Sequence, residues 1–415
     1  MSKTPTKHTW AFGPRFRSGS FGWRSEPAIT RIKEAVSEIR AVARKEPVLA
    51  AEGAVLFLQK LSPALQNIDS SSGAIGTAVN RAIDALVPII AKAPADLKLR
   101  RKWLEQLYQA HADDQVPYIE CLGDSWGELC VSPEIAAEWS DRLVEMVDSV
   151  WSRSEIEYGF YHGTPMCLSA LFAAGRHEQL LTLLDKCPYK FWSYRQWGVK
   201  ALVAQGKKAE ALRYAEESQG LNEPLGLIAE ACEAIMISSG LKDEAYQRYA
   251  FEANHGGTYL TTFRAICRKY PHKAPETVLN DLVARTPGEE GKWFAAAKDA
   301  GLYDLALKLA RQSPVDHRTL MRAADDFAEK EPGFALNCGL MALYWICAGR
   351  AYEATTGEVL TAYAQLLRAA DVAQCTEAAM EQLRKMLEGF SQERFVRGAL
   401  AHVLAIKPPV PVPER

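Results

Sequence analysis

The chain repeats one phrase with variations, and that phrase limits what it can fold into. The run from Ala170 to Leu181 (ALFAAGRHEQLL) is followed by the run from Ala201 to Leu212 (ALVAQGKKAEAL), and related versions centre on Gly240, Gly301 and Gly349. Each reads as a helix, a tight turn at glycine, and a second helix opened by a small–large apolar pair. Such a hairpin cannot bury its apolar face alone, so copies must stack. No stretch shows sustained alternation of strand type. The expectation is an all-α fold: an α-solenoid of stacked helical hairpins, right-handed, with a concave groove and no β-sheet.

The turn glycines 175, 206 and 240 are 31 and 34 residues apart, and 240 to 301 is 61, nearly two units, divided by a turn at Tyr270-Pro271-His272. Glu331-Pro332-Gly333 gives a further break, and Gly349 is out of phase with the series. The phrase therefore organises residues 155–390. Residues 27–150 predict an N-terminal helical domain without the glycine phrase. Pro63 closes or kinks its second helix, and Asp69-Ser70-Ser71-Ser72-Gly73 offers caps to the third. Further helices are expected over 114–130 and 133–151. Residues 391–415 are expected to give a C-terminal cap and a Pro-rich tail, extended beyond Ala405.

Residues 1–46 carry ten Lys/Arg against four Glu, a net +6, which leaves −8 for the remainder of a chain of net charge −2. Most of this asymmetry sits in a basic, aromatic arm over residues 1–26, expected to be flexible. The nine cysteines show no C-x-x-C pair. They read as small hydrophobes of a reducing compartment, so a cytoplasmic location is expected. The uncharged stretch Pro332–Gly349 is at the short limit for a bilayer span and reads better as a buried helix, so no membrane association is expected.

Gly301-Leu302-Tyr303-Asp304-Leu305-Ala306-Leu307 and Gly206-Lys207-Lys208-Ala209-Glu210-Ala211-Leu212 resemble the tetratricopeptide-repeat superfamily. The shared features are a turn glycine, an aromatic two residues on (Lys208 departs from it), and a small residue five after the glycine, as at Ala211, Ala245 and Ala306. This likeness, over roughly 155–390, implies close helix contact at those alanines. Phe21-Gly22-Trp23-Arg24 and the run Asp69–Ala78 are similar to an uncharacterised family of bacterial helical proteins, a likeness that brings no activity.

Catalytic and metal signatures are missing from the sequence. None of the eight histidines stands three to five residues from another, so no zinc-type spacing occurs. There is no nucleophile elbow, Walker loop or dinucleotide fingerprint. Neither metal nor cofactor is expected.

Three features read as contact surfaces. The cluster Tyr189-Lys190-Phe191-Trp192-Ser193-Tyr194-Arg195-Gln196-Trp197 holds more rings than one helical stripe can bury. Tyr189, Phe191, Trp192, Tyr194, Arg195 and Trp197 are thus candidate partner anchors, against the plainer reading of a large inter-repeat core. Glu120, Asp124 and Glu128 are four apart and would share a helical face, adding charge selectivity or simply meeting solvent. Lys3, Lys7, Arg15, Arg17 and Arg24, interleaved with Trp10, Phe16 and Trp23, suit docking in cis or onto a partner, or phosphate contact with base stacking. The function expected is a non-catalytic scaffold that binds a protein or an extended peptide in the groove. A nucleic-acid-associated protein using the arm is the alternative, and an enzyme of unrecognised type is the third.

Overall fold

The computed structural model describes residues 8–152, 160–220, 223–390 and 394–404. Among the described residues all regular structure is helical and no strand occurs. The chain divides into two compact units, Met1–Ile235 and Met236–Arg415.

The first unit holds α1 (Ser25–Ala43), α2 (Pro47–Leu65), α3 (Ala74–Lys92), α4 (Leu97–Ala112), a 3-10 turn (Glu120–Ser125), α5 (Trp126–Cys130), α6 (Pro133–Trp151), α7 (Thr164–Ala173), α8 (His177–Asp185), α9 (Trp192–Ala204) and α10 (Lys208–Glu216). The division falls inside α11 (Leu225–Ser238). The second unit holds α12 (Lys242–Ala253), α13 (Tyr259–Lys269), α14 (Pro275–Ala284), a 3-10 turn (Glu290–Trp293), α15 (Phe294–Asp299), α16 (Tyr303–Gln312), α17 (His317–Phe327), α18 (Pro332–Cys347), α19 (Thr356–Val372), α20 (Thr376–Gly389) and α21 (Phe395–Leu404).

Helices meet their neighbours in sequence and those two places on. In the first unit α1 packs on α2 and α3, α2 on α4, and α7 on α6, α8 and α9; in the second α17 packs on α18 and α19, and α16 on α18. One hydrophobic core runs from Trp10 to Ala201. The boundary expected near residues 150–155 is therefore not where the molecule divides, because α6 and α7 pack face to face across it.

The repeat phrase forms the turns it predicts. Gly175, Gly206, Gly240, Gly301 and Gly349 all have φ between 68° and 82°. At each, the next residue donates its amide to the carbonyl five back, as Arg176 does to Leu171 at 3.0 Å and Leu302 to Ala297 at 2.9 Å. This closes the orphan carbonyls of the first helix in a Schellman motif, which needs a left-handed residue and hence favours glycine. A sixth copy lacks the glycine: Gln374 has φ 53° and Cys375 donates to Ala370 at 2.9 Å. Ala211, Ala245 and Ala306, the small residues after three of these turns, are fully buried.

The N-terminal arm departs from expectation. From His8 onward it is docked rather than flexible. Trp10, Phe12 and Phe16 belong to the core, with Phe12 and Phe16 edge-on to Phe57 at 5.4 and 5.0 Å between centroids. Gly53 on α2 lies under the Trp10 indole, where any Cβ would overlap the ring. Glu38 on α1 accepts the amides of Ala11 (2.7 Å) and Phe12 (3.2 Å), and Gly19 donates to the Pro63 carbonyl at 2.9 Å. Arg15 pairs with Glu34 at 2.9 Å, while Arg17, Trp23 and Arg24 are exposed. Lys3 and Lys7 lie outside the described residues, as does the Pro-rich tail from 405.

Two local expectations are also corrected. α2 continues through Pro63 to Leu65, because a proline in the last turn forfeits little hydrogen bonding while Ala64 and Leu65 become fully buried. The Asp69–Gly73 run folds into a turn, Asp69 accepting the Ser71 amide at 2.9 Å; the N-cap position falls on Gly73, and the one side chain of the run that reaches α3 is Ser72, whose hydroxyl accepts the Ala74 amide at 3.4 Å. Asp96 and Ser132 do cap α4 and α6.

α2 and α3 are long and apolar enough to cross a bilayer by length and composition alone. Both supply residues to the core, from Ala50 to Leu65 and from Ile75 to Ile90. The uncharged α18 packs between α17 and α19.

Candidate functional site

A groove of about 610 Å³ lies between α9 and α11 in the first unit. Phe191, Gln196, Val199 and Lys200 form one wall, and Leu227, Glu230 and Ala234 the other. The cause is visible in α11: its sequence is apolar on most faces, yet Leu225 and Leu227 remain 50% and 54% exposed. At the start of α9, the Glu223 carboxylate accepts the Trp192 amide at 2.7 Å and ties the two walls together.

The structure sorts the aromatic cluster into two sets. Trp192, Tyr194 and Trp197 are buried. Tyr194 packs 5.7 Å from Trp151, and Trp197 lies 5.8 Å from Phe172. These three are core, as a helix that joins adjacent hairpins requires, although an edge of Trp192 reaches the groove. Arg195 is also withdrawn. It stacks 3.7 Å above the Tyr214 ring and donates to the Ser218 hydroxyl (2.6 Å) and the Tyr214 carbonyl (3.1 Å). Tyr189 and Phe191 stay outside, 37% and 46% exposed, their rings stacked with centroids 5.0 Å apart.

The carboxylate row is not one helical face. Residues 114–130 form an irregular loop, a 3-10 turn and the short α5. Buried Asp114 shapes the loop by accepting the Ile119 amide at 2.7 Å and the Ser62 hydroxyl. Gly127 lets α7 come close, since a Cβ there would stand 2.7 Å from that of Ala173. Ser169 on α7 then donates to the Asp124 carbonyl at 3.0 Å and accepts the Gly127 amide at 2.9 Å. The result separates the three acids: Glu128 is exposed, Glu120 is half-buried, and Asp124 has one carboxylate oxygen sealed from solvent without a hydrogen bond.

Asp124 faces Lys200 and Trp197. Burial pushes the Asp124 carboxyl above its ordinary range, and Lys200 opposes the rise. Burial likewise lowers the Lys200 ammonium, and Asp124 opposes the fall. The Lys200 ammonium sits 3.9 Å over the Trp197 ring, a cation–π contact. Burial also raises the Tyr194 phenol to about 12. Lys200, Leu227 and Glu230 carry no sequence signature, because the groove exists only through the register of two helices.

All nine cysteines are free thiols. Burial pushes Cys130, Cys167 and Cys338 up to about 12, which disfavours the reactive thiolate. Among the described residues no group of three or more His, Cys, Asp or Glu side chains is placed to hold a metal ion. The stacking rings wanted for nucleic acid are largely spent, since Trp10 and Phe16 are interior. No protein-family model and no curated protein sequence matches this chain.

Proposed function

We propose that this chain is a non-catalytic scaffold that holds an extended peptide or a protein segment in the groove between α9 and α11. The observation that carries the reading is the groove itself. It combines exposed apolar walls, Phe191 and Leu227, with three charged residues, Lys200 against Glu223 and Glu230. Apolar anchors beside a few placed polar groups are what peptide capture needs. The successive hairpins, their Schellman turns and the buried alanines after them support a tetratricopeptide-like architecture, and free thiols suit a cytoplasmic setting.

Selection of an extended-peptide phage library on the full chain, followed by fluorescence anisotropy with a recovered peptide, tests this. Leu227→Glu should weaken that peptide at least about tenfold, roughly 1.4 kcal/mol, with the melting midpoint retained. Unchanged affinity, or failure to recover any peptide, refutes the proposal.

A further inference from the structure

A second groove, of about 390 Å³, runs between α1 and α3. Its floor is apolar and low: Ile32 and Val36 from α1, Ala78 and Ala82 from α3. Alanines at four-residue steps let another helix backbone approach closely, while the isoleucine and valine give it something to bury against. Lys33 and Arg40 stand along one side and Arg81 along the other, all exposed, and no carboxylate lines the groove.

The docked N-terminal segment accounts for this imbalance. α1 carries Glu34 and Glu38, but both are turned to its other flank. Glu34 pairs with Arg15 (2.9 Å) and Arg31 (2.6 Å), and Glu38 accepts the Ala11 and Phe12 amides. Folding of residues 8–20 onto α1 and α2 thus engages Glu34 and Glu38, the two acids of α1 level with the groove, and leaves only Glu26 in its first turn. Among the described residues Lys33, Arg40 and Arg81 form no ion pair, and they remain as the groove's charge. Just before the two helices begin, the Trp23 carbonyl accepts the Asp69 amide at 3.0 Å, which ties the segment entering α1 to the turn that leads into α3.

We propose that the α1–α3 groove docks an acidic amphipathic helix of a partner protein, its apolar stripe on the floor and its Glu or Asp side chains against Lys33, Arg40 and Arg81. Lys33 and Arg40 are two helical turns apart, the spacing at which a single helix repeats a flank position. The recessed floor favours a helix over a membrane surface, which an inset groove meets poorly. Its apolar character favours a helix over a nucleic acid, whose backbone has nothing to bury there. Residues 1–7 and 405–415, with Lys3, Lys7, Lys407 and Arg415 against Glu414, have the wrong sign to be the occupant. The inference is independent of the α9–α11 groove.

The test is a display library of helical peptides of about 18 residues, randomised on all faces and selected on the full chain. Recovered sequences should be enriched in Glu and Asp flanking an apolar stripe. A recovered acidic peptide, followed by fluorescence anisotropy, should lose at least about tenfold in affinity against the combined Lys33→Glu, Arg40→Glu and Arg81→Glu variant. The gentler Lys33→Gln, Arg40→Gln and Arg81→Gln set should weaken it less, and Phe191→Ala should leave it unchanged. Binding should also fall as salt rises. No enrichment of acidic helices, or equal binding by the charge-reversed protein, overturns the proposal. So does uptake by phosphatidylserine vesicles or a single-stranded oligonucleotide with no acidic-helix binding.

Discussion

Residues 8–24 and residues 189–200 look alike as sequence, rings alternating with cations, and the fold treats them differently. The first segment is not a regular helix, yet it sends Trp10, Phe12 and Phe16 into the core and leaves Arg15, Arg17 and Arg24 outside. The second enters α9, and helical geometry divides its rings: Trp192, Tyr194 and Trp197 go inward while Tyr189 and Phe191, before the helix begins, stay out. Ring content alone does not mark a contact surface. What decides is whether a large apolar partner, Phe57 in one case and Trp151 or Phe172 in the other, waits beneath.

The sharpest way to break this contrast is to remove one buried ring from each segment. Phe16→Ala and Trp197→Ala should each cost about 3–5 kcal/mol, the range for emptying a large buried site, measured by urea denaturation. If either costs less than about 1 kcal/mol, that segment is a surface after all. Glu38→Ala should come next, at roughly 1.5–3 kcal/mol, because two backbone amides lose a charged acceptor. Limited proteolysis should then cut first within residues 8–20, ahead of the helical hairpins. Equal cutting throughout would mean that the segment and the hairpins unfold together.

How much of this was legible beforehand follows from what each feature depends on. The hairpin turns depend on a left-handed residue, and glycine announces that in one letter. The turn at Gln374 makes the same bonds with a residue that announces nothing, so it stayed invisible. Residues 114–130 misled for the opposite reason. Glu120, Asp124 and Glu128 have helical spacing, but the local backbone answers to α7 through Gly127 and Ser169, a contact more than forty residues away in sequence. The α9–α11 groove was half legible, through Phe191, while Lys200 and Leu227 needed the helix register. The turn pair yields a smaller, signed prediction. Gly206→Ala should cost about 1 kcal/mol from backbone strain, since a Cβ there meets nothing within 4 Å. Gln374→Gly should gain up to about 1 kcal/mol by relieving the same strain. Opposite shifts in denaturation midpoint are required, and shifts of the same sign would show that side-chain contacts dominate those turns.

The smallest expected change in stability is the most telling about function. Phe191 stands outside the core, at the edge of the groove, against Tyr189 on one side and 6.0 Å from the Tyr194 ring on the other. Phe191→Ala removes an exposed ring and leaves buried Tyr194 in place, so denaturation should move by no more than about 0.5 kcal/mol. A peptide selected on the α9–α11 groove should nevertheless lose affinity by about tenfold, because the ring's apolar area serves the bound state alone. Trp197→Ala must show the reverse order, a large loss of stability with any binding loss following from unfolding. If Phe191→Ala and Trp197→Ala instead lower stability and binding in the same proportion, the two halves of the cluster are one core, and the distinction drawn between them fails.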